Sequence, residues 1–308
     1  MKVKEYFPIF LQYKRAKHES TSTQRQYERF ITCLAPIGEK ELSELKKNDD
    51  VLIRVEGRKH GEFGEQRAIS VYRVFLSWLE DEGLTIPFKW EKVKSVKVKR
   101  KDQYYLTQEE FESFVEKIDI STFYGLRDRV LYELLWSTGV RIGEALAIDE
   151  KDITFDPDPK KREIFVHTEK GGDGDKVDVS DRLMYWLSTY LERKLECEPL
   201  FINFINGDPK RMGQISVFKN LKKYKNVFGA HKKMNHMCFR RGSGSHAMDS
   251  GYTFVEVQRH LRHKSPNTTV RAYLYHNKLK AKAKHNKVFS QAPKTEMVEE
   301  AEKIMKGR

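Results

Sequence analysis

One stretch departs from an otherwise helical pattern. In EIFVHTEKGGDGDKVDVS, residues 163–180, Ile164, Val166 and Thr168 alternate with polar neighbours, a Gly-rich turn intervenes, and Val177 and Val179 alternate again. Period-two spacing on both sides of such a turn specifies a β-hairpin with one buried face. Most of the remaining chain repeats its apolar residues at helical spacing, so the fold class is mainly α with a small β-sheet.

Residues 1–88 read as a helical domain. Tyr6, Phe7, Phe10, Leu11 and Tyr13 form one apolar stripe, and Ile69, Tyr72, Phe75, Leu76 and Leu79 form another. Between them STSTQRQYERFITCL opens with capping residues and sets Arg25 and Arg29 one turn apart, either an ordinary solvated face or an edge that meets phosphates. Residues 89–103 carry Lys89, Lys92, Lys94, Lys97, Lys99, Arg100 and Lys101, with only Glu91 against them before residue 102. This is read as an interdomain linker, a solvated one or a basic strap following a duplex backbone. A capping box at Thr107 and Glu110 opens a second domain, 104–291. The final segment, 292–308, predicts an amphipathic helix with Met297, Val298, Ala301, Ile304 and Met305 on one face.

Charge narrows the class of partner. A formal net charge of +13 and a pI near 9.4 favour an anionic partner, nucleic acid above all. The sequence has no apolar run long enough to span a bilayer, and the amino terminus lacks a hydrophobic signal core. Cys33, Cys197 and Cys238 are odd in number and without CxxC spacing, which argues against a disulfide framework or a thiolate zinc site and fits the cytoplasm. The DGD at 173–175 lacks the other ligands of a calcium loop, and neither a Walker-type loop nor HExxH occurs. No metal or other cofactor is expected.

In LLWSTGVRIGEAL, residues 134–146, an apolar helix stops at a glycine and the next turn carries one arginine. Leu131, Leu134 and Leu135 bury one helix face, Gly139 supplies the stop, and Arg141 is then fixed on packed backbone with Glu144 placed to orient it. A lone arginine after a helix stop is ordinarily a surface residue, so its companions decide the reading.

This segment resembles the signature of the tyrosine recombinases, the phage integrase and Xer-type family, through Thr138, Gly139, Arg141 and Glu144. A second box, HMCFRRGSGSHAMDSGYTFVEVQRHLRHKSPNTTVRAYLYH, is similar to the family's other arginine helix, its following histidine and its terminal tyrosine. The resemblance places the second arginine at Arg240 and the histidine at His263, with Arg262 where the family commonly has glycine. It puts the nucleophile at Tyr273, ten residues past His263, with Tyr275 as the alternative. The family's histidine three residues before the second arginine falls on Met237, and its role is carried to His236. The hairpin lysine falls on Lys170, with Lys176 as the alternative.

The resemblance implies a helical, SAM-like core-binding domain and a mixed α/β catalytic domain forming a C-shaped clamp on double-stranded DNA. Its DNA-binding residues would be Arg25, Arg29, Lys92, Lys94, Lys97, Lys99, Arg100, Lys101 and Arg262. It implies a site-specific recombinase acting through a 3′-phosphotyrosyl intermediate. Arg141 and Arg240 would hold non-bridging oxygens, Lys170 would protonate the leaving oxygen, His263 would donate to the phosphate, and His236 would assist proton transfer. Neither ATP nor metal is implied. By family analogy the C-terminal helix docks into a neighbouring protomer, closing a homotetramer on two sites; the alternative is that it pads the core of its own chain. Because the chain starts at its first predicted helix, a simple core-site reaction is expected. The alternatives are relaxation by a type IB topoisomerase, and a silent DNA-binding member, which would lack an arginine or the tyrosine.

Overall fold

The computed structural model describes residues 1–17, 21–98, 104–168, 174–224 and 234–270. Lys99, Arg100, Lys101, Lys170, Tyr273, Tyr275 and the helix expected within 292–308 lie outside the described residues. The chain divides into two compact units, Met1–Asp102 and Gln103–Arg308. The fold is mainly helical with two small antiparallel sheets.

The first unit contains α1 (Tyr6–Ala16), α2 (Thr21–Ile31), α3 (Asp50–Arg58) and α4 (Gly64–Asp81), joined by short 3-10 turns. The two predicted stripes meet. Phe10 packs edge-on against Phe75 at 5.4 Å between ring centres and leans on Trp78 at 5.4 Å, and Ile69, Tyr72, Leu76 and Leu79 are fully buried around them. Offset and edge-on rings add to the gain from burial, so the aromatics fix how α1 meets α4. The basic segment read as a linker from residue 89 belongs, up to residue 98, to this unit. Trp90–Lys92 forms a 3-10 turn, Val93 is fully buried in the helical core, and Arg54 donates to the Lys94 carbonyl at 2.7 Å. The charge run concealed this, because the apolar anchors Trp90, Val93 and Val96 are spaced among lysines.

The second unit is organised around α6 (Phe123–Thr138), which follows α5 (Gln108–Val115). Thr107 caps α5, accepting from the Glu110 N–H at 3.2 Å, while the Glu110 carboxylate accepts from the Thr107 N–H at 3.1 Å. The sequence suggests a one-faced α6, but the helix is buried nearly all round, Arg127, Asp128 and Glu133 included. Those charges are paired: Arg127 with Asp128 and the Ile202 carbonyl, and Glu133 with Arg129 and Arg182. Buried ions persist where each has an opposite charge and a full set of hydrogen bonds.

Next come α7 (Ile142–Ala147) and the strands β1 (Ile153–Thr154), β2 (Glu163–Val166) and β3 (Asp175–Asp178), in the antiparallel order β1-β2-β3. The predicted hairpin is β2–β3. Ile164 pairs with Val177, and Ile164, Val166, Val177 and Val179 are all buried. After α8 (Asp181–Leu191) a second hairpin, β4 (Ile202–Ile205) with β5 (Asp208–Arg211), was not anticipated. Asn206 and Gly207 link its strands with φ of 54° and 87°. Two consecutive positive φ values mark the mirror-image turn that Asn-Gly favours, so the signal was present in INGD.

The chain continues through α9 (Gln214–Lys223), α10 (His236–Asp249) and α11 (Phe254–His260), and residues 266–270 begin a further helical turn. Helix α10 packs on α6 through small residues. A Cβ at Gly242 would sit 2.4 Å from the Trp136 ring and 2.7 Å from the Leu106 carbonyl oxygen. Only hydrogen fits there, and the close approach sets the depth at which Arg240, half a turn earlier, enters the unit.

Candidate active site

Arg141 owes its position to the way α6 ends. Thr138 Oγ1 donates back to the Leu134 carbonyl at 2.7 Å, and Gly139 turns left-handed at φ 61°. Val140 and Ile142, on either side of Arg141, are buried and pin the backbone. Arg141 is then the N-cap of α7. Its N–H donates to Glu144 Oε2 at 2.9 Å and its Nη1 to Glu144 Oε1 at 2.7 Å. One carboxylate thus fixes both ends of the arginine, while 43% of that side chain stays exposed.

Arg240 is the opposite case, buried at 4% exposure. Its Nη1 donates to the Gly139 carbonyl and its Nη2 to the Leu261 carbonyl. These acceptors lie two residues before Arg141 and two before His263, so one guanidinium ties both segments to α10. Glycine suits this position: its φ of 61° disfavours any side chain, and a Cβ would meet Leu261 Cδ2 at 2.7 Å.

His263 lies on the turn after α11. Its N–H donates to the Gln258 carbonyl at 3.0 Å, and its Nδ1 is hydrogen-bonded to the fully buried Thr269 hydroxyl at 2.8 Å. Burial, then the charges of Arg240, Arg141 and Arg262, push its pKa down to about 4, so the ring is neutral at pH 7. That three arginines act on one imidazole is the electrostatic sign that residues from α7, α10 and the segment after α11 converge.

Arg262 donates from Nη2 to Glu144 Oε2 at 2.6 Å, so Glu144 is shared between two guanidinium groups. Burial pushes the Glu144 carboxyl up, but the hydrogen bonds from Arg141 and the charges of Arg262 and Arg141 outweigh it and hold the group below the usual carboxylate range. Arg262 also adopts φ 50°, the left-handed region. This gives a physical reason for glycine being common at this position in the resembling family.

Other sequence candidates stand apart. His236 is the first residue of α10, and its ring meets Phe218 edge-on at 5.2 Å. Burial, then the charge of Arg241, lowers its pKa, and its Nδ1 is buried without a partner. Among the described residues no hydrogen bond joins His236 to Arg240. Lys176 pairs with Glu163 across the hairpin. Arg25, Arg29, Lys92, Lys94 and Lys97 are exposed on the first unit, with the Arg29 guanidinium 5.5 Å from the centre of the Phe30 ring.

Sequence reasoning missed Ser243, His260 and Thr269. Ser243 Oγ and His260 Nε2 are 2.7 Å apart directly behind Gly139. Burial, then the charges of Arg262 and Arg240, push His260 down to about 4. A cleft of about 820 Å³ opens beside them, lined by Asp175, Lys176, His260, Arg262 and His263 among others. Among the described residues no group of three or more His, Cys, Asp or Glu side chains is placed to hold a metal ion, and no helix is long and apolar enough to cross a membrane. An anion is the ligand this arrangement suits: three arginines and a neutral imidazole, with the Glu144 carboxylate already occupied.

A sequence model described as the phage integrase family matches residues 104–280. Among curated proteins, tyrosine recombinase XerC 2 of Ralstonia nicotianae is 28% identical over 220 residues, covering 69% of this chain and 60% of the relative. Tyrosine recombinase XerC of Chlamydia pneumoniae is 27% identical over 168 residues, covering 53% of this chain and 52% of the relative. The chain thus spans between about half and 60% of the length of these relatives. Among solved structures, XerH recombinase bound to a palindromic difH substrate in a post-cleavage complex superposes with a TM-score of 0.71 at 19% identity, covering 88% of this chain and 82% of that one. A lambda integrase (75–356) dimer bound to a COC′ core site gives 0.72 at 14% identity, covering 88% and 95%. At these identities the superpositions establish the fold.

Proposed function

Because this chain belongs to the phage integrase family, we propose that it is a site-specific recombinase that breaks and rejoins DNA strands through a 3′-phosphotyrosyl intermediate. The observation that carries this reading is the pair of bonds from Arg240 to the Gly139 and Leu261 carbonyls, which gathers Arg141 and His263 around one buried guanidinium.

The scissile phosphodiester sits against Arg141, whose remaining N–H groups meet a non-bridging oxygen, and beside the fixed positive charge of Arg240. Oη of Tyr273 attacks phosphorus as its proton passes, with His236 assisting, to solvent water. The bond from phosphorus to the 5′-oxygen breaks, and that oxygen takes a proton from Lys170. The extra negative charge of the pentacovalent state falls on oxygens facing fixed cations, where preorganised charge lowers the barrier most. With Thr269 at Nδ1, the neutral His263 offers Nε2–H to the same phosphate. Attack by a 5′-hydroxyl on the phosphotyrosine reverses these steps, so the linkage energy is kept and no nucleotide is consumed.

The partner is double-stranded DNA, a reading supported by the likeness to XerH bound to a difH substrate and lambda integrase bound to a core site. Arg25, Arg29, Lys92, Lys94, Lys97, Lys99, Arg100 and Lys101 contact phosphates, binding that weakens steeply with salt. The helical part that carries residues 1–98 acts as the core-binding domain and residues 104–291 act as the catalytic domain. The helix within 292–308 docks into a neighbouring protomer to close a homotetramer on two DNA sites, working in the cytoplasm.

A nicked suicide duplex carrying a site mapped by footprinting tests this reading. The expected product is a covalent adduct, resistant to detergent, that disappears in Tyr273→Phe. An adduct that persists there and is lost in Tyr275→Phe would move the nucleophile. Relaxation of supercoils without recombination of a two-site plasmid would replace recombinase by topoisomerase.

A further inference from the structure

Arg262 is held in a conformation that its side chain makes costly. Its φ of 50° is one that glycine adopts freely, and a non-glycine residue is kept there only where its surroundings fix it. The side chain is 9% exposed. Its donors are unevenly used. Nη2 reaches Glu144 Oε2 at 2.6 Å, Nε lies 4.0 Å from Asp175 Oδ2 on β3, and Nη1 is buried with no hydrogen-bond partner. A buried guanidinium N–H without an acceptor is unfavourable, so the position makes sense if an acceptor arrives. Arg262 lines the same cleft as His263 and His260, and its charge acts on both imidazoles.

We infer that Arg262 is a third catalytic guanidinium: Nη1 takes an oxygen of the scissile phosphate while Nη2 stays on Glu144. This rests on the recombinase reading and assigns to that site a group beyond Arg141 and Arg240. An acceptor of the required kind is anionic and carries several oxygens, because the nearby carboxylates Glu144 and Asp175 already face this guanidinium, His263 opens on the same cleft, and Arg141 is tied to Arg262 through Glu144. A phosphodiester meets that description. When it binds, Glu144 joins Arg141 to Arg262 as one unit, so the two guanidinium groups approach the phosphate in fixed relation.

The test uses Arg262→Gly, which suits the backbone conformation and so favours a folded protein, and Arg262→Lys, which keeps the charge without the fork. Two quantities are read on the full chain: binding of inorganic phosphate by calorimetry at low salt, and the single-turnover rate of adduct formation on a suicide duplex at saturating protein. Arg262→Gly is expected to weaken phosphate binding at least about tenfold and to slow adduct formation roughly 10- to 100-fold, with DNA affinity in a gel shift nearly unchanged. Arg262→Lys is expected to recover less than half of the lost rate on a logarithmic scale. Wild-type rate and phosphate affinity in Arg262→Gly overturn the inference, as does a wild-type chain that binds no phosphate. If Arg240→Ala also forms adduct at the wild-type rate, the recombinase reading fails. If Arg240→Ala is inactive while Arg262→Gly is normal, only the role of Arg262 fails.

Discussion

Arg240 donates to the main-chain oxygen of Gly139, joining the middle of one helix to the stop of another. A charged donor buried on two carbonyls is both a structural clasp and a fixed positive charge. The same side chain therefore links stability to the geometry of the site.

Arg240→Met should separate the two roles. The apolar side chain fills the volume but leaves the Gly139 and Leu261 carbonyls without their donors. Unfolding free energy in urea is expected to fall by roughly 2–4 kcal/mol, with adduct formation abolished. A variant as stable as wild type would show that other donors satisfy those carbonyls.

Gly139→Ala combines a left-handed φ with a Cβ 2.7 Å from Leu261 Cδ2. Strain and overpacking together are expected to cost roughly 2–4 kcal/mol. Gly251→Ala is the control, with φ 97° but nothing within 4 Å of the added carbon, and should lose only roughly 1–2 kcal/mol. Equal melting temperatures for the two variants would mean that the Leu261 contact contributes nothing.

The contrast between those glycines bears on what the sequence could reveal. The Arg141–Glu144 capping arrangement spans three residues, so it is legible locally, as are the β2–β3 alternation and the Thr107–Glu110 cap. Arg240 with Gly139, Ser243 with His260, and Arg262 with Glu144 join residues far apart in the chain, and no local period records them. His236 stands four residues before Arg240 in the chain, whereas its ring contact is with Phe218 on another helix. The second hairpin has a turn signal in Asn206–Gly207, but the strands beside it are short and partly exposed and carry no clear alternation.

Acid should act through two histidines. Burial, followed by nearby arginines, holds His260 and His263 near pKa 4, below the unfolded value of about 6.5. The unfolded chain binds protons first, so the contribution these groups make is full above about pH 6.5 and is lost as pH falls toward 4. Urea titrations from pH 7 to 4 are expected to show a decline that is shallower by roughly 1–2 kcal/mol in His260→Gln. Parallel profiles for the two proteins would remove His260 from the transition.

Glu144→Gln probes the carboxylate that Arg141 and Arg262 share. Its side chain is 2% exposed, and both guanidinium groups donate to it. The amide keeps one acceptor oxygen but turns an NH2 toward a second cation, so the buried Arg262 and the partly exposed Arg141 lose their common counter-ion. Removing one member of a buried ion cluster costs roughly 3–5 kcal/mol, and part of that should return when an anion binds, because the phosphate then supplies the missing negative charge. Glu144→Gln is therefore expected to melt below wild type in dilute buffer and to gain more than wild type from added inorganic phosphate. A melting curve lowered equally with and without phosphate would mean that the arginines do not share an anion site with the carboxylate between them.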